Sequence, residues 1–267
     1  MVQHKDVKAV RLDTGVSLPY LSQGDPAGTP LLLLHAWGES KGSFDRLLPL
    51  LPRDMFVLAP DLRGHGYADQ PDSGYDLEAF AADVPAFLDA LELPTAVLLG
   101  SSSGGYVAQR AAVDYPSRVA GLVLVGAPRT LHGRPPFVDE MEQLTDPIDP
   151  AWVRASLDWI LRLTEVPAWY LEDRVNDGLR MPARVWRDTL VGLIEAAPPT
   201  EAGTIVAPTM IIWGAGDELL TLDDERALSA AIRGSRLIVY ENTGHLVLWE
   251  RPERVAADVI GFMAELS

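Results

Sequence analysis

The chain has 267 residues, 48% of them hydrophobic, enough for one large α/β domain or a domain carrying an insertion. Its formal charge of -16 (22 basic against 38 acidic residues) repels nucleic-acid backbones and anionic membrane surfaces, so its function is sought in a pocket. The absence of cysteine excludes a thiol nucleophile, a disulfide scaffold and thiolate metal sites, which leaves oxygen nucleophiles. The first residues have no apolar signal core and no apolar run reaches membrane-spanning length, so the expectation is a soluble, cytoplasmic chain.

In chain order, short β-like runs fall at 7–12, 18–22, 31–34, 56–59, 96–99, 120–125, 209–213 and 236–240. Those from residue 31 onward are nearly continuous in apolar residues, the pattern of parallel strands buried on both faces. The first two lie close together and predict an antiparallel hairpin at one edge. Leu77, Phe80, Val84, Phe87, Leu88 and Leu91 recur at helical spacing, with Pro85 expected to kink or interrupt that helix. A second helix shows Val107, Ala108, Ala111, Ala112 and Tyr115 on one face before Pro116 ends it. Near the carboxyl end, Pro252 suits a first helical turn, and Val255, Val259, Phe262 and Met263 supply a packing stripe. The fold class is therefore α/β, with an open, doubly wound, mostly parallel eight-stranded sheet.

The alternation stops over 129–204. That stretch has no β-branched runs, is punctuated by Pro135, Pro136, Pro147, Pro150, Pro167, Pro182, Pro198 and Pro199, and holds Trp152, Trp159, Trp169 and Trp186. It reads as an all-helical insertion over a core made of 1–128 and 205–267.

Within 97–109 an apolar strand runs into Gly-x-Ser-x-Gly (Gly100 to Gly104) and then into a helix, the context a nucleophile elbow requires. Ser102 sits at its centre, and Gly100 and Gly104 lack a Cβ where strand and helix backbones approach. A serine hydroxyl is a weak nucleophile near neutral pH and needs a base. Of the five histidines, His4 lies at the terminus, His35 and His65 sit in glycine-containing turns, and His132 begins the insertion. His245 directly follows the last strand pattern, at the sheet edge where doubly wound folds keep their sites, and is the preferred base. Asp217, the first acid after 210–216, is preferred over Glu218 as the carboxylate that orients the imidazole. An oxyanion hole needs two donors: the backbone N–H of Ser103 and that of Trp37, within the turn after strand 31–34.

With these pieces placed, the sequence resembles α/β-hydrolase fold proteins of the capped serine esterase, lactonase and haloperoxidase-like group. The resemblance rests on His35-Ala-Trp-Gly38, Pro60-Asp-Leu-Arg-Gly-His-Gly66, Gly100-Ser-Ser-Ser-Gly-Gly105, Trp213-Gly-Ala-Gly-Asp217 and Gly244-His-Leu-Val-Leu-Trp-Glu250, in that order. Ala36 departs from the glycine common after this histidine, and the resemblance makes Asp61, Arg63 and His65 structural. It implies an all-helical cap over 129–204 and a hydrolase that cleaves a small, mostly hydrophobic carboxylic ester or lactone through an acyl-enzyme on Ser102, with no metal or organic cofactor. Ser102 argues against the relatives that open epoxides or displace halide, which use a carboxylate there. Alternatives are a cofactor-free haloperoxidase or perhydrolase, a carbon-carbon bond hydrolase with the same three residues, and a ligand receptor on the same fold. Expected partners are the small-molecule substrate, with no nucleic acid and no membrane; a homo-oligomer is left open. Substrate choice falls to the insertion, where Trp152, Trp159, Trp186 and Tyr170, together with Trp37 of the core, are candidates to line an apolar pocket. Arg129, Arg134, Arg162 and Arg184 are candidates to meet a substrate carboxylate, although solvated helix faces suit them as well.

Overall fold

The computed structural model describes residues 7–132 and 138–266, so His4, Arg134, Pro135 and Pro136 lie outside the described residues. Eight strands form one sheet: β1 (Val7–Arg11), β2 (Ser17–Gln23), β3 (Leu31–Leu34), β4 (Val57–Pro60), β5 (Ala96–Ser101), β6 (Val119–Val125), β7 (Thr209–Gly214) and β8 (Arg236–Tyr240). Their order is β1-β2-β4-β3-β5-β6-β7-β8. β2 pairs antiparallel with β1 and β4, and every pair from β3 to β8 is parallel. The hairpin is thus at the edge predicted for it.

Two apolar layers explain the unbroken hydrophobic strands. On one face Leu31, Leu33, Val97, Leu99, Val123 and Val125 meet Phe44, Leu47 and the stripe Val255, Val259 and Phe262 of α10 (Pro252–Glu265). On the other, Leu32, Leu34, Leu98, Leu122 and Leu124 meet α1 (Leu77–Ala90) and α2 (Ser103–Asp114). A polar residue at any of these strand positions would face a dry layer, and so alternation is absent.

Of the two outcomes expected at Pro85, interruption does not occur: α1 runs through it from Leu77 to Ala90. Asp76 caps the helix by accepting the Ala79 N–H, and Leu77, Phe80, Ala81, Val84, Phe87 and Leu88 are buried on both sides of the proline. Tertiary packing of that face outweighs the missing N–H. α2 ends at Asp114, ahead of Pro116, where the sequence predicted.

Between β6 and β7 the described residues form helices and no strand: α3 (Val138–Glu142), α4 (Pro150–Ser156), α5 (Ala168–Arg180), α6 (Ala183–Glu195) and α7 (Pro199–Ala202). α8 (Leu222–Ala231) joins β7 to β8, and α9 (Val247–Glu250) precedes α10. Among the described residues no helix is long and apolar enough to cross a membrane.

A helix-interior proline costs about 3 kcal/mol relative to alanine, and the unfolded chain returns up to about 1 of that. Pro85→Ala is therefore expected to stabilise the protein by about 2–3 kcal/mol, read as a higher urea midpoint at an unchanged slope.

Candidate active site

β5 and α2 are separated by a single residue, Ser102, whose φ of 49° and ψ of -121° are unfavourable for a residue with a side chain. Its N–H donates to Val125 O at 2.9 Å and its C=O accepts the Gly105 N–H at 2.8 Å, so both ends of the turn are held. Close backbone approach explains the glycines. A Cβ on Gly100 would lie 2.4 Å from Gly104 O, and one on Gly104 would lie 2.3 Å from Leu34 O.

His245, on the loop after β8, places Nε2 3.0 Å from Ser102 Oγ and Nδ1 2.8 Å from Asp217 Oδ2. The carboxylate accepts Nδ1–H, which leaves the Nε2 lone pair facing the serine hydroxyl. Both side chains are enclosed, 1% exposed for His245 and 0% for Asp217. Asp217 Oδ1 also accepts the N–H groups of Leu219 (2.8 Å) and Leu220 (2.9 Å), which fixes the carboxylate plane. Glu218 is exposed at the mouth of the site. The structure therefore brings Ser102, His245 and Asp217 into one line.

The other described histidines do other work. His35 and His65 are buried and turn Nδ1–H toward the carbonyls of Ala36 and Arg63, and His35 Nε2 accepts the Leu62 N–H. Burial holds His35 well below the usual imidazole range and brings His65 down to about 4. Asp61 accepts from Lys41 N, Lys41 Nζ and Tyr67 N, and Arg63 grips Asp83 through Nε and Nη2. His132 is exposed.

The two amides named for an oxyanion hole both border the site. Ser103 N–H lies in the first turn of α2, where helix N–H groups have no intrahelical acceptor. Trp37 N–H donates to Ser103 Oγ at 2.7 Å. That hydroxyl is a functional group sequence reasoning passed over, and the run Ser101, Ser102, Ser103 was its only signal.

Ser102 opens onto a cavity of ≈ 150 Å³ walled by Trp37, Trp159, Trp186, Leu190, Leu193 and Trp249. It continues to a mouth of ≈ 330 Å³ bordered by Glu140, Trp159, Leu161, Glu218, Leu219 and His245. Trp152 is a correction: it stands behind this wall, its ring edge-on to Trp159 and to Trp186 at 5.4 Å each. Tyr170 is another, fully buried with its hydroxyl donated to Ser43 O. Neither forms part of the cavity wall, because α4 and α5 turn those rings into helix packing. The candidate arginines are also engaged elsewhere: Arg129 on Glu201, Arg162 on Asp158 and the Leu157 carbonyl, and Arg184 on the carbonyls of Gln70 and Pro71. The arginine that does reach the cavity is Arg174, missed in the sequence; Nε and Nη2 are held by Asp177, and the buried Nη1 has no partner among the described residues.

Glu250 ties the insertion to the histidine loop. Its Oε1 accepts Gly244 N–H at 2.9 Å, while Oε2 accepts Leu163 N–H and Thr164 N–H at 2.9 Å and the Thr164 hydroxyl at 3.1 Å.

A mostly parallel sheet carrying a serine on a strained strand-to-helix turn, with histidine and carboxylate on later strand ends, defines an α/β protein of hydrolase architecture. The chain belongs to the alpha/beta hydrolase family, whose model matches residues 31–258. It is similar to a non-heme chloroperoxidase of Streptomyces lividans, 27% identical over 95% of this chain and 98% of the relative. It is also similar to a 2-hydroxymuconate semialdehyde hydrolase of Pseudomonas sp. (strain CF600), 28% identical over 90% of this chain and 88% of the relative. The crystal structure of an esterase from Rhodococcus sp. ECU1013 superposes with a TM-score of 0.82 at 28% identity, covering 98% of this chain and 99% of that one.

Because Gly104 meets backbone, which cannot move aside, Gly104→Ala is expected to displace the Ser102 turn and cost at least about 2 kcal/mol, measured by urea denaturation. His65 binds its proton more weakly in the folded state than when unfolded, so stability is complete above pH 6.5 and falls as the pH drops toward 4. The loss from this group is about 3 kcal/mol, and His65→Gln is expected to flatten that part of the stability–pH curve.

Proposed function

We propose that this protein is a serine hydrolase that cleaves a small, mostly hydrophobic carboxylic ester or lactone. The observation that carries the reading is the unbroken Asp217–His245–Ser102 hydrogen-bonded line at the floor of an apolar cavity. In the proposed cycle His245 Nε2 takes the hydroxyl proton as Ser102 Oγ attacks the carbonyl carbon, and Asp217 stabilises the resulting imidazolium. The amides of Ser103 and Trp37 receive the negative oxygen of the tetrahedral intermediate. His245 returns the proton to the leaving alkoxide, and water activated by the same imidazole then releases the acyl group from Ser102.

The cavity of ≈ 150 Å³ favours a short acyl or alcohol group, and its tryptophan and leucine walls favour an apolar one. Helices α3 to α7 and the turns between them act in this reading as a cap that supplies Trp159, Trp186, Leu190 and Leu193 to the substrate. The chain is read as a cytoplasmic enzyme that needs no metal or organic cofactor.

A second reading is favoured by the likeness to the chloroperoxidase and to the semialdehyde hydrolase: the same three residues serve a perhydrolase or carbon-carbon bond hydrolase. Peroxide-dependent halogenation, or turnover of a vinylogous diketone faster than of any ester, would select it. Ligand binding without turnover would select a receptor.

Short-chain p-nitrophenyl esters and lactones are the direct test. Ser102→Ala is expected to lower kcat by at least about 10⁴-fold, and a fluorophosphonate to label Ser102 alone, seen by mass spectrometry of the digested protein. Turnover that survives Ser102→Ala would overturn the assignment.

A further inference from the structure

The Ser103 hydroxyl occupies an unusual place. Its oxygen accepts the Trp37 N–H at 2.7 Å, the amide that the ester-hydrolase reading offers to the substrate oxygen. Ser103 and Trp37 border the substrate cavity on one side and, on the other, a separate cavity of ≈ 10 Å³ beneath the oxyanion turn. His65 and Thr189 also line that small space, which has room for about one water molecule. His65 Nε2 and Thr189 Oγ1 are both buried and have no partner among the described residues. Since His65 Nδ1–H is directed at Arg63 O, Nε2 carries a lone pair and lacks only a donor. A buried acceptor of this kind has a hydrogen bond still to gain.

Resting on the ester-hydrolase reading, we propose that Ser103 is a positioning residue with two seats. In the free enzyme its oxygen holds the Trp37 N–H; when the substrate oxygen claims that N–H, the hydroxyl turns and donates toward His65 Nε2 across the small cavity. The bond between Trp37 and Ser103 breaks in the exchange, and the turn toward His65 offsets only part of that loss. Trp37 trades a hydroxyl oxygen for the substrate oxygen, and Ser103 gains the acceptor that lacked a donor. A neutral carbonyl competes with Ser103 on nearly equal terms, whereas the developing oxyanion forms a charge-assisted bond and displaces it. Ser103 therefore weakens ground-state binding at Trp37 more than it weakens the transition state, the difference on which catalysis depends.

The experiment is steady-state kinetics of Ser103→Ala on a p-nitrophenyl ester, with Ser103→Thr and Ser102→Ala alongside and the Trp37 amide followed by ¹H–¹⁵N NMR. Alanine keeps the Ser103 backbone donor and suits the first turn of a helix. Expected are a KM lower by roughly three- to tenfold, the scale of one neutral hydrogen bond, and a kcat lower by a smaller factor. The Trp37 amide resonance should shift on loss of its acceptor, and Ser103→Thr should return KM toward that of the wild type. A kcat reduced tenfold or more at unchanged KM would overturn the proposal, since the hydroxyl would then be an oxyanion donor. Unchanged constants would overturn it as well. If turnover persists in Ser102→Ala, the hydrolase reading itself fails; if it is lost there while Ser103→Ala misses the expected KM, only the two-seat proposal fails.

Discussion

Backbone meeting backbone without intervening side chains is the constraint on which this structure turns. Where β5 gives way to α2, Gly100 faces the carbonyl of Gly104, and Gly104 faces that of Leu34, at separations that exclude even a methyl group. The result is a turn tight enough to hold Ser102 in an unfavourable conformation, aimed away from the sheet, with the first amide of α2 beside it. Strain of this kind costs of order 1–3 kcal/mol and persists only where the surroundings over-determine it. Here the surroundings are β3 and β6, which flank β5 and are buried on both faces, together with the Val125 carbonyl that holds the Ser102 amide.

The same sheet brings distant parts of the chain together. Trp37, Ser102, Asp217 and His245 each follow a parallel strand and emerge at its carboxyl end, so strand order does the work of convergence. Each loop then adds one local restraint. Asp217 is fixed by two amides of its own turn, and His245 is enclosed between serine and carboxylate. The histidine-containing turns after β3 and β4 are scaffolding, since buried neutral imidazoles there satisfy neighbouring backbone groups.

How much of this could be read from the sequence depended on whether the information was local. Runs 31–34 and 236–240 coincide with strands because apolar blocks bounded by turn residues leave little freedom, and the elbow was legible because its glycines and serine are contiguous. Pro85 does not interrupt its helix because propensity describes an isolated helix, whereas the face on either side of it is buried in this one. The walls of the cavity were harder. In the segment between β6 and β7 the rings of Trp152 and Trp186 differ in role only by which way their helices face, and the pattern of apolar residues carries no record of that. Arg174 resembles any solvated helix residue until Asp177 and Tyr170 are seen around it.

Glu250 gives the architecture a brace. One carboxylate grips the chain just before His245 and the chain leaving α4 at Leu163 and Thr164, so these two strands of backbone are clamped at a common point. The far wall is moored separately, with Arg184 on the carbonyls of Gln70 and Pro71 and the Trp37 indole N–H on the Trp186 carbonyl, so the helical segment is pinned to the core on both sides of the cavity. A pull on the segment at residues 163–164 would therefore be felt one residue ahead of the imidazole, which couples the enclosure to the proton relay.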